Sequence, residues 1–247
     1  MFTKSDYENL YKIMDESPEK KELLSKLLTS HQMTVSTISH EIRNPLTLVY
    51  SNLQLIEAVH PELYTYKHWR NLRSDIEYMK HLLEELSSYN NGEHLSISEI
   101  NTDTFFKTIA LSFASSLIET DIQFVSEINA HLSCFPGDKI KLREVFLNLL
   151  KNARDAFDSF DEPMKHPLIR LSVCSTEHHL IVSISDNGCG ISEEKMSHIF
   201  EPFVTYKKNG TGLGLPLSAK IIHAHNGSIE VSSVPGFSTT FTVTLPI

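Results

Sequence analysis

The sequence predicts two folds in series, α then α+β: an N-terminal helical hairpin that dimerises into a four-helix bundle, followed by an α/β sandwich with a mixed sheet. Glycine placement divides the two. All nine glycines fall from Gly92 onward, so the preceding stretch lacks the residue that most readily interrupts a helix. Beyond Gly92, β-branched runs with apolar residues on alternate positions are interspersed with leucine-rich helical runs, which is the pattern of helices layered on one face of a sheet. At 247 residues the chain suffices for one or two domains with a real core.

The elements follow in order. Ser5 with Glu8 makes a capping-box pattern, and Ser17-Pro18 restarts a helix with proline at its first position. That helix is expected to run well past position 50 and to pack through a seam of Val35, Ile38, Ile42, Val49 and Ile56, until His60-Pro61 closes it. A second helix carries Trp69, Leu72, Ile76, Met79, Leu83 and Leu86 in alternating steps of three and four, and Tyr89-Asn90-Asn91-Gly92 ends it. Such a hairpin leaves apolar surface uncovered, which predicts a homodimer. Farther on, helices are expected over 103–119, 139–160 and 213–225, strands over 122–128, 168–174 and 180–185, and a hairpin over 229–245 turning at Pro235-Gly236. The division is thus an N-terminal helical segment (1–30), a helical domain (31–92) and an α/β domain (93–247).

Charge and cysteine usage narrow the function. With 31 acidic against 22 basic residues the formal charge is −9, which argues against a nucleic-acid or anionic-membrane partner. Cys134, Cys174 and Cys189 are too few and scattered for a disulfide framework or a zinc cluster, and they fit a reducing compartment. No apolar run reaches the length of a membrane span and Met1-Phe2-Thr3-Lys4 leads into polar sequence, so a soluble, cytoplasmic protein is expected. His178, His179, His223 and His225 have no accompanying cysteine or carboxylate constellation and are read as surface residues.

Three motifs carry chemistry. Asp186-Asn187-Gly188-Cys189-Gly190 offers a carboxylate that can accept from a purine amine, with glycines that let backbone come close to a ligand; Gly210-Thr211-Gly212-Leu213-Gly214 offers amides to phosphates just before a helix N-terminus. Upstream, Ser39-His40-Glu41-Ile42-Arg43-Asn44-Pro45 places a histidine two positions from both Ile38 and Ile42, about 160° from the seam and into solvent. Pro45 removes a helical hydrogen bond at the Glu41 carbonyl and sets a kink beside it. Asn148 and Asn152, four apart in the otherwise apolar run from Val145, share a helix face and require polar partners there.

These motifs together resemble the sensor histidine kinases of two-component systems. Residues 39–47 resemble the phosphoacceptor box, 148–153 the N box, 186–190 the first glycine box, 200–203 the F box, 210–215 the second glycine box and 236–241 the last, so the resemblance spans roughly residues 30–247. It implies ATP and Mg²⁺ as cofactors, autophosphorylation of His40 with Glu41 as general base, and transfer to an aspartate in the receiver domain of a response regulator. By the same resemblance Asn44 orients a water or assists phosphotransfer, Asn152 presents its amide oxygen to Mg²⁺ with Asn148 alongside, and Asp186 takes the adenine amine beside Gly188 and Gly190. Residues 191–211 resemble the lid over the nucleotide, where Phe200 and Phe203 dock it and Lys207 or Lys208 meets phosphate; Gly212 and Gly214 precede the phosphate-binding helix. Thr240, with Thr239, falls in the last glycine box, though both also suit a plain hairpin.

Asp155 stands where many members carry a phosphate-contacting lysine, and Asn152-Ala153-Arg154-Asp155-Ala156 resembles the nitrogen-type and sporulation-type branch instead. Residues 1–30 leave no room for a sensory domain, so input is expected through that short helix, a partner or a segment outside the chain. Two other classes compete with the kinase: an ATP-independent phosphotransferase module, disfavoured by complete nucleotide boxes, and a non-kinase ATPase of the wider superfamily, disfavoured because Asn148 stands where such an ATPase carries its water-activating glutamate.

Overall fold

Ser17 receives the Lys20 amide on its hydroxyl at 3.2 Å and Pro18 supplies a preset φ, and from there a single helix, α1 (Pro18–Val59), passes through Pro45 without interruption. A 3-10 turn (Pro61–Thr65) reverses the chain into α2 (Lys67–Asn90). The structure, a computed structural model, describes residues 13, 17–92, 94–129, 133–158, 166–207 and 210–247; the Ser5–Glu8 capping pair lies outside them, and the helix expected over 139–160 ends earlier, at Asp155 with Ala156 as its C-cap. Two compact units result, one up to Asn90 and one from Asn91.

In the first unit the faces of α1 differ from the expected arrangement. The seam residues Ile38, Ile42, Val49 and Ile56 are exposed, Ile42 by 49%, and α2 lies instead against Ser39, Leu53 and Glu57, with Arg43, Leu46 and Tyr50 half-buried between them. The reason is specific pairing. Glu57 accepts from Trp69 Nε1 (3.0 Å), Tyr64 Oη (2.9 Å) and Arg73 Nη1 (3.1 Å), and Arg43 Nη2 donates to the Leu83 carbonyl (3.2 Å). Burial pushes the Glu57 carboxyl up, but the bonds from Trp69 and Tyr64 and the Arg73 charge outweigh it and hold it below the ordinary range. On α2, Ile76 and Leu83 face inward, whereas Leu72 and Met79 join the exposed stripe.

The second unit begins with β1 (Ser98–Asn101) and α3 (Thr102–Ser115), then β2 (Gln123–Asn129), β3 (Cys134–Gly137) and α4 (Lys139–Asp155). It continues with β4 (Leu168–Ser175), β5 (His179–Asp186), the one-turn α5 (Glu193–Met196), α6 (Gly214–Ala224), β6 (Ser228–Val234) and β7 (Ser238–Pro246). The main sheet is ordered β2-β4-β5-β7-β6, with β2 parallel to β4 and every other pair antiparallel; β1 and β3 form a separate antiparallel pair that the sequence pattern had not disclosed because each is only four residues long. Strand alternation makes one face apolar: Ile169, Leu171 and Val173 of β4, Leu180, Val182 and Ile184 of β5, and Phe241, Val243 and Leu245 of β7 are all buried. Helices α3, α4 and α6 cover that face, and Phe105, Phe106, Phe135 and Phe146 interlock between them with ring centroids 5.0–6.2 Å apart.

His225 corrects the surface reading. His178, His179 and His223 are exposed, but His225 is buried at the end of α6, with Nδ1 on the Ile221 carbonyl (2.8 Å) and Nε2 receiving the Asp138 amide (2.9 Å). Its partner at the start of α4 is 87 positions away in the chain, which no local pattern signals. Asp138 caps α4 through the amides of Ile140 and Lys141, so His225 ties the two helices' ends together. Phe106 is fully buried in the aromatic cluster, and Phe106→Ala is expected to cost the second unit about 3–5 kcal/mol, read as a lowered denaturant midpoint with unchanged slope.

Candidate functional site

His40 lies on an exposed part of α1 although the seam from which its outward phase is reckoned is itself exposed, and Glu41 and Asn44 are exposed beside it. Arg43, one turn on, places Nη1 3.3 Å from His40 Nδ1 while its other terminal nitrogen is anchored on α2 at Leu83. Arginine has no acceptor, so this contact is a hydrogen bond only when the imidazole proton sits on Nε2. Arg43 carries no role in the sequence motif, and its position three residues after His40 is the signal that could reveal it. Pro45 leaves the Glu41 carbonyl without its usual amide, and the helix tolerates it unbroken.

In the second unit the nucleotide candidates gather around three chain segments. Asp186 ends β5 with 5% of its surface exposed and receives the Gly188 amide at 2.9 Å. Burial pushes its carboxyl up to about 6, against the opposing effects of the Gly188 and Thr239 amides and the Lys207 charge. Gly188 and Gly190 form the turn that follows, which closes on α4 where the Cys189 amide meets the Ala156 carbonyl at 3.2 Å.

Asn148 and Asn152 project from α4, and both find the polar partners their setting requires. Asn148 donates to Ser218 Oγ (2.9 Å), and Ser218 in turn donates to the Gly214 carbonyl (2.9 Å), so α4 is stapled to the first turns of α6. A Cβ on Gly214 would come within 2.6 Å of Asn148 Oδ1, so only glycine lets the two helices approach this closely. Gly212 holds φ +70 with its carbonyl receiving the Phe203 amide (2.9 Å), a left-handed turn that glycine adopts without strain. Asn152 Oδ1 receives Lys207 Nζ at 2.6 Å, and the same ammonium lies 2.8 Å from Asp155 Oδ2.

Two expectations are corrected. Thr240 does not belong with Asp186: β7 pairs Thr239 directly opposite Asp186, and alternation turns Thr240 to the other face of the sheet. The buried Thr239, whose Oγ1 lies 3.0 Å from Ser233 Oγ, is the threonine on the carboxylate's side. Phe203 does not dock either, since it is exposed with φ 66, whereas the neighbouring Ile199 is buried and Phe200 half-buried.

The residues fit a magnesium nucleotide. Asp186 is a buried acceptor, the α6 helix starts at Gly214 directly after the left-handed Gly212 turn, and an ammonium rests on the Asn152 and Asp155 oxygens, donors that a hard cation takes. Comparison with known proteins decides the family. Residues 30–94 match the His Kinase A (phospho-acceptor) domain, and residues 137–247 match the histidine kinase-, DNA gyrase B-, and HSP90-like ATPase family. The chain belongs to the sensor histidine kinases. It is 31% identical over 211 residues to the signal transduction histidine-protein kinase AtoS of Escherichia coli (strain K12), which covers 85% of this chain and 34% of the relative. Full-length ShkA, solved in complex with AMPPNP, superimposes with a TM-score of 0.71 at 21% identity, covering 87% of this chain and 45% of that one. ThkA in complex with the response regulator TrrA gives a TM-score of 0.62 at 22% identity over 95% of this chain and 66% of that one. The chain therefore spans only part of the kinases it resembles. Among the described residues no helix is long and apolar enough to cross a membrane.

The raised Asp186 carboxyl has a stability consequence. Burial favours its protonated form, so ionising it costs folding free energy, and the stability of the nucleotide-free second unit should decline as pH rises from the ordinary carboxylate range through about 6 and then level off. Urea unfolding across that pH series should lose this decline in Asp186→Asn, which should be no less stable than the unaltered chain above about pH 6.

Proposed function

We propose that this kinase uses ATP with Mg²⁺ to phosphorylate its own His40 and passes the phosphoryl group to an aspartate in a response-regulator receiver domain. The observation that carries the reading is the pairing, in one chain, of a solvent-facing histidine on an uninterrupted helix with a buried carboxylate that receives the amide of the glycine turn following it. The apolar stripe of Ile38, Ile42, Val49, Ile56, Leu72 and Met79 supports a homodimer, because a second hairpin would remove that surface from water. In this reading residues 31–92 form the dimerisation and phosphoacceptor part and residues 93–247 the catalytic part, working in the cytoplasm, where ATP is available.

Each residue then has a task. Asp186 accepts from the adenine amine, with the 188–190 turn beside it. The α6 N-terminus past Gly212 and Gly214 offers amides to phosphate, with Lys207 nearby to add charge. Asn152 would hold Mg²⁺, and Asn148 fixes α6 against α4 through Ser218. Bound there, Mg²⁺ would neutralise charge on the phosphate oxygens. One ring nitrogen of His40 attacks the γ-phosphorus, the bond to the β–γ bridging oxygen breaks, ADP leaves, and the proton on the other ring nitrogen passes to Glu41. Arg43 at Nδ1 bears on which tautomer is present, and attack through Nε2 requires that contact to open. A water-activating ATPase is disfavoured because Asn148 is engaged with Ser218 and supplies no carboxylate.

Incubation with radiolabelled ATP and Mg²⁺ should give label that acid removes and base spares, as for a phosphoramidate, with none in His40→Gln. Acid-stable label persisting in that variant would falsify the histidine assignment. Asn152→Ala should abolish labelling without unfolding the chain, and mixing it with His40→Gln should restore label only if phosphorylation crosses the dimer. Asn44, one turn beyond His40 on the exposed surface, is proposed to position a water against the phosphorylated regulator. Asn44→Ala should accordingly spare autophosphorylation and slow regulator dephosphorylation in the presence of ADP, and equal decay rates would remove it from the mechanism.

A further inference from the structure

Lys207 is bonded where the proposed metal ligand lies. Its ammonium sits 2.6 Å from Asn152 Oδ1 and 2.8 Å from Asp155 Oδ2, both short enough for charge-assisted hydrogen bonds. Asn152 and Asp155 are one turn apart on α4, so their oxygens lie on the same side of the helix. Asp155 is largely covered, with 18% of its side chain exposed against 45% for Lys207, and its other oxygen lies 3.4 Å from Arg154 Nη2. An amide oxygen and a carboxylate oxygen are the donors that Mg²⁺ takes together with water and phosphate.

A divalent ion and an ammonium cannot both rest on the Asn152 oxygen without strong mutual repulsion at such distances. We infer that Asn152 and Asp155 form a two-oxygen cation site that Lys207 fills in the nucleotide-free protein, so that Lys207 is a tethered competitor for Mg²⁺ and Asp155 a further cation-binding residue. This rests on the nucleotide reading above. Entry of Mg²⁺ with nucleotide displaces the ammonium, frees Lys207 for the phosphates and leaves the Asp155 charge matched by the metal. The residue that departs from the common family pattern then has a positive role, since a lysine at 155 would place a cation where this chain places a cation ligand.

The test is calorimetric ADP binding by the whole chain, measured across Mg²⁺ concentrations and in EDTA, with circular dichroism melting as the check on folding. Lys207→Met should lower the Mg²⁺ concentration that half-saturates ADP binding by roughly two- to fivefold, the effect of removing an ion pair this exposed. Asp155→Asn should move it in the opposite direction, by roughly tenfold or more, while changing ADP affinity in EDTA far less. A rise in the half-saturating Mg²⁺ for Lys207→Met would overturn the competitor role, and an unchanged value for Asp155→Asn would overturn the cation-ligand role. If the unaltered chain bound no ADP with or without Mg²⁺, the nucleotide reading itself would fall; if it bound ADP and both variants matched it, only the present inference would.

Discussion

A buried carboxylate at the end of a central strand sets the terms for the second unit. Asp186 is driven toward its protonated form by burial, yet only the ionised group is a full acceptor, and the backbone must therefore bring amides to it. Gly188 does so from the following turn and Thr239 from the neighbouring strand, which is why the β5–β7 register and the glycine turn are both needed to hold one side chain. The turn closes on the end of α4 at Ala156, so the same helix that projects Asn148 and Asn152 also supports the loop behind the carboxylate. Chemistry and architecture are coupled through this one helix.

The first unit is organised by a different constraint. Its α1 helix carries two stripes, and the one with more polar side chains takes the intrachain partner. Glu57 explains the choice: three donors from the turn and from α2 converge on it, and leaving that carboxylate without them would cost more than leaving a row of isoleucines in water. The apolar stripe stays outward, and His40 stands on the same helix at a phase that keeps it reachable.

Lys207 links the ligand sites to charge balance. Its ammonium neutralises Asp155 and also lowers the Asp186 carboxyl through its field, so a displacement of this one group would be felt at both carboxylates. The staple from Asn148 through Ser218 to Gly214 meanwhile fixes α6 against α4 whatever Lys207 does.

Much of this was legible in the chain. The Ser17-Pro18 cap, the helix end before Pro61, the stop after Asn90 and the main-sheet strands follow from local chemistry that acts over a few residues: preset φ, capping oxygens and alternation. The phosphoacceptor and glycine boxes were visible because their spacing is itself the signal. What tertiary structure alone decided depends on partners distant in sequence. Thr239 rather than Thr240 faces Asp186 because of strand register, and His225 is interior because an amide 87 positions earlier meets it. The α2-facing side of α1 is chosen by Glu57's donors, and Asp155 acquires its role from Lys207, 52 positions on. Local sequence determined the long helices, the main-sheet strands and their turns, but not the four-residue β1 and β3; long-range pairing of polar groups, which must be satisfied once buried, determined which face of α1 turns inward and where Thr239 and His225 sit.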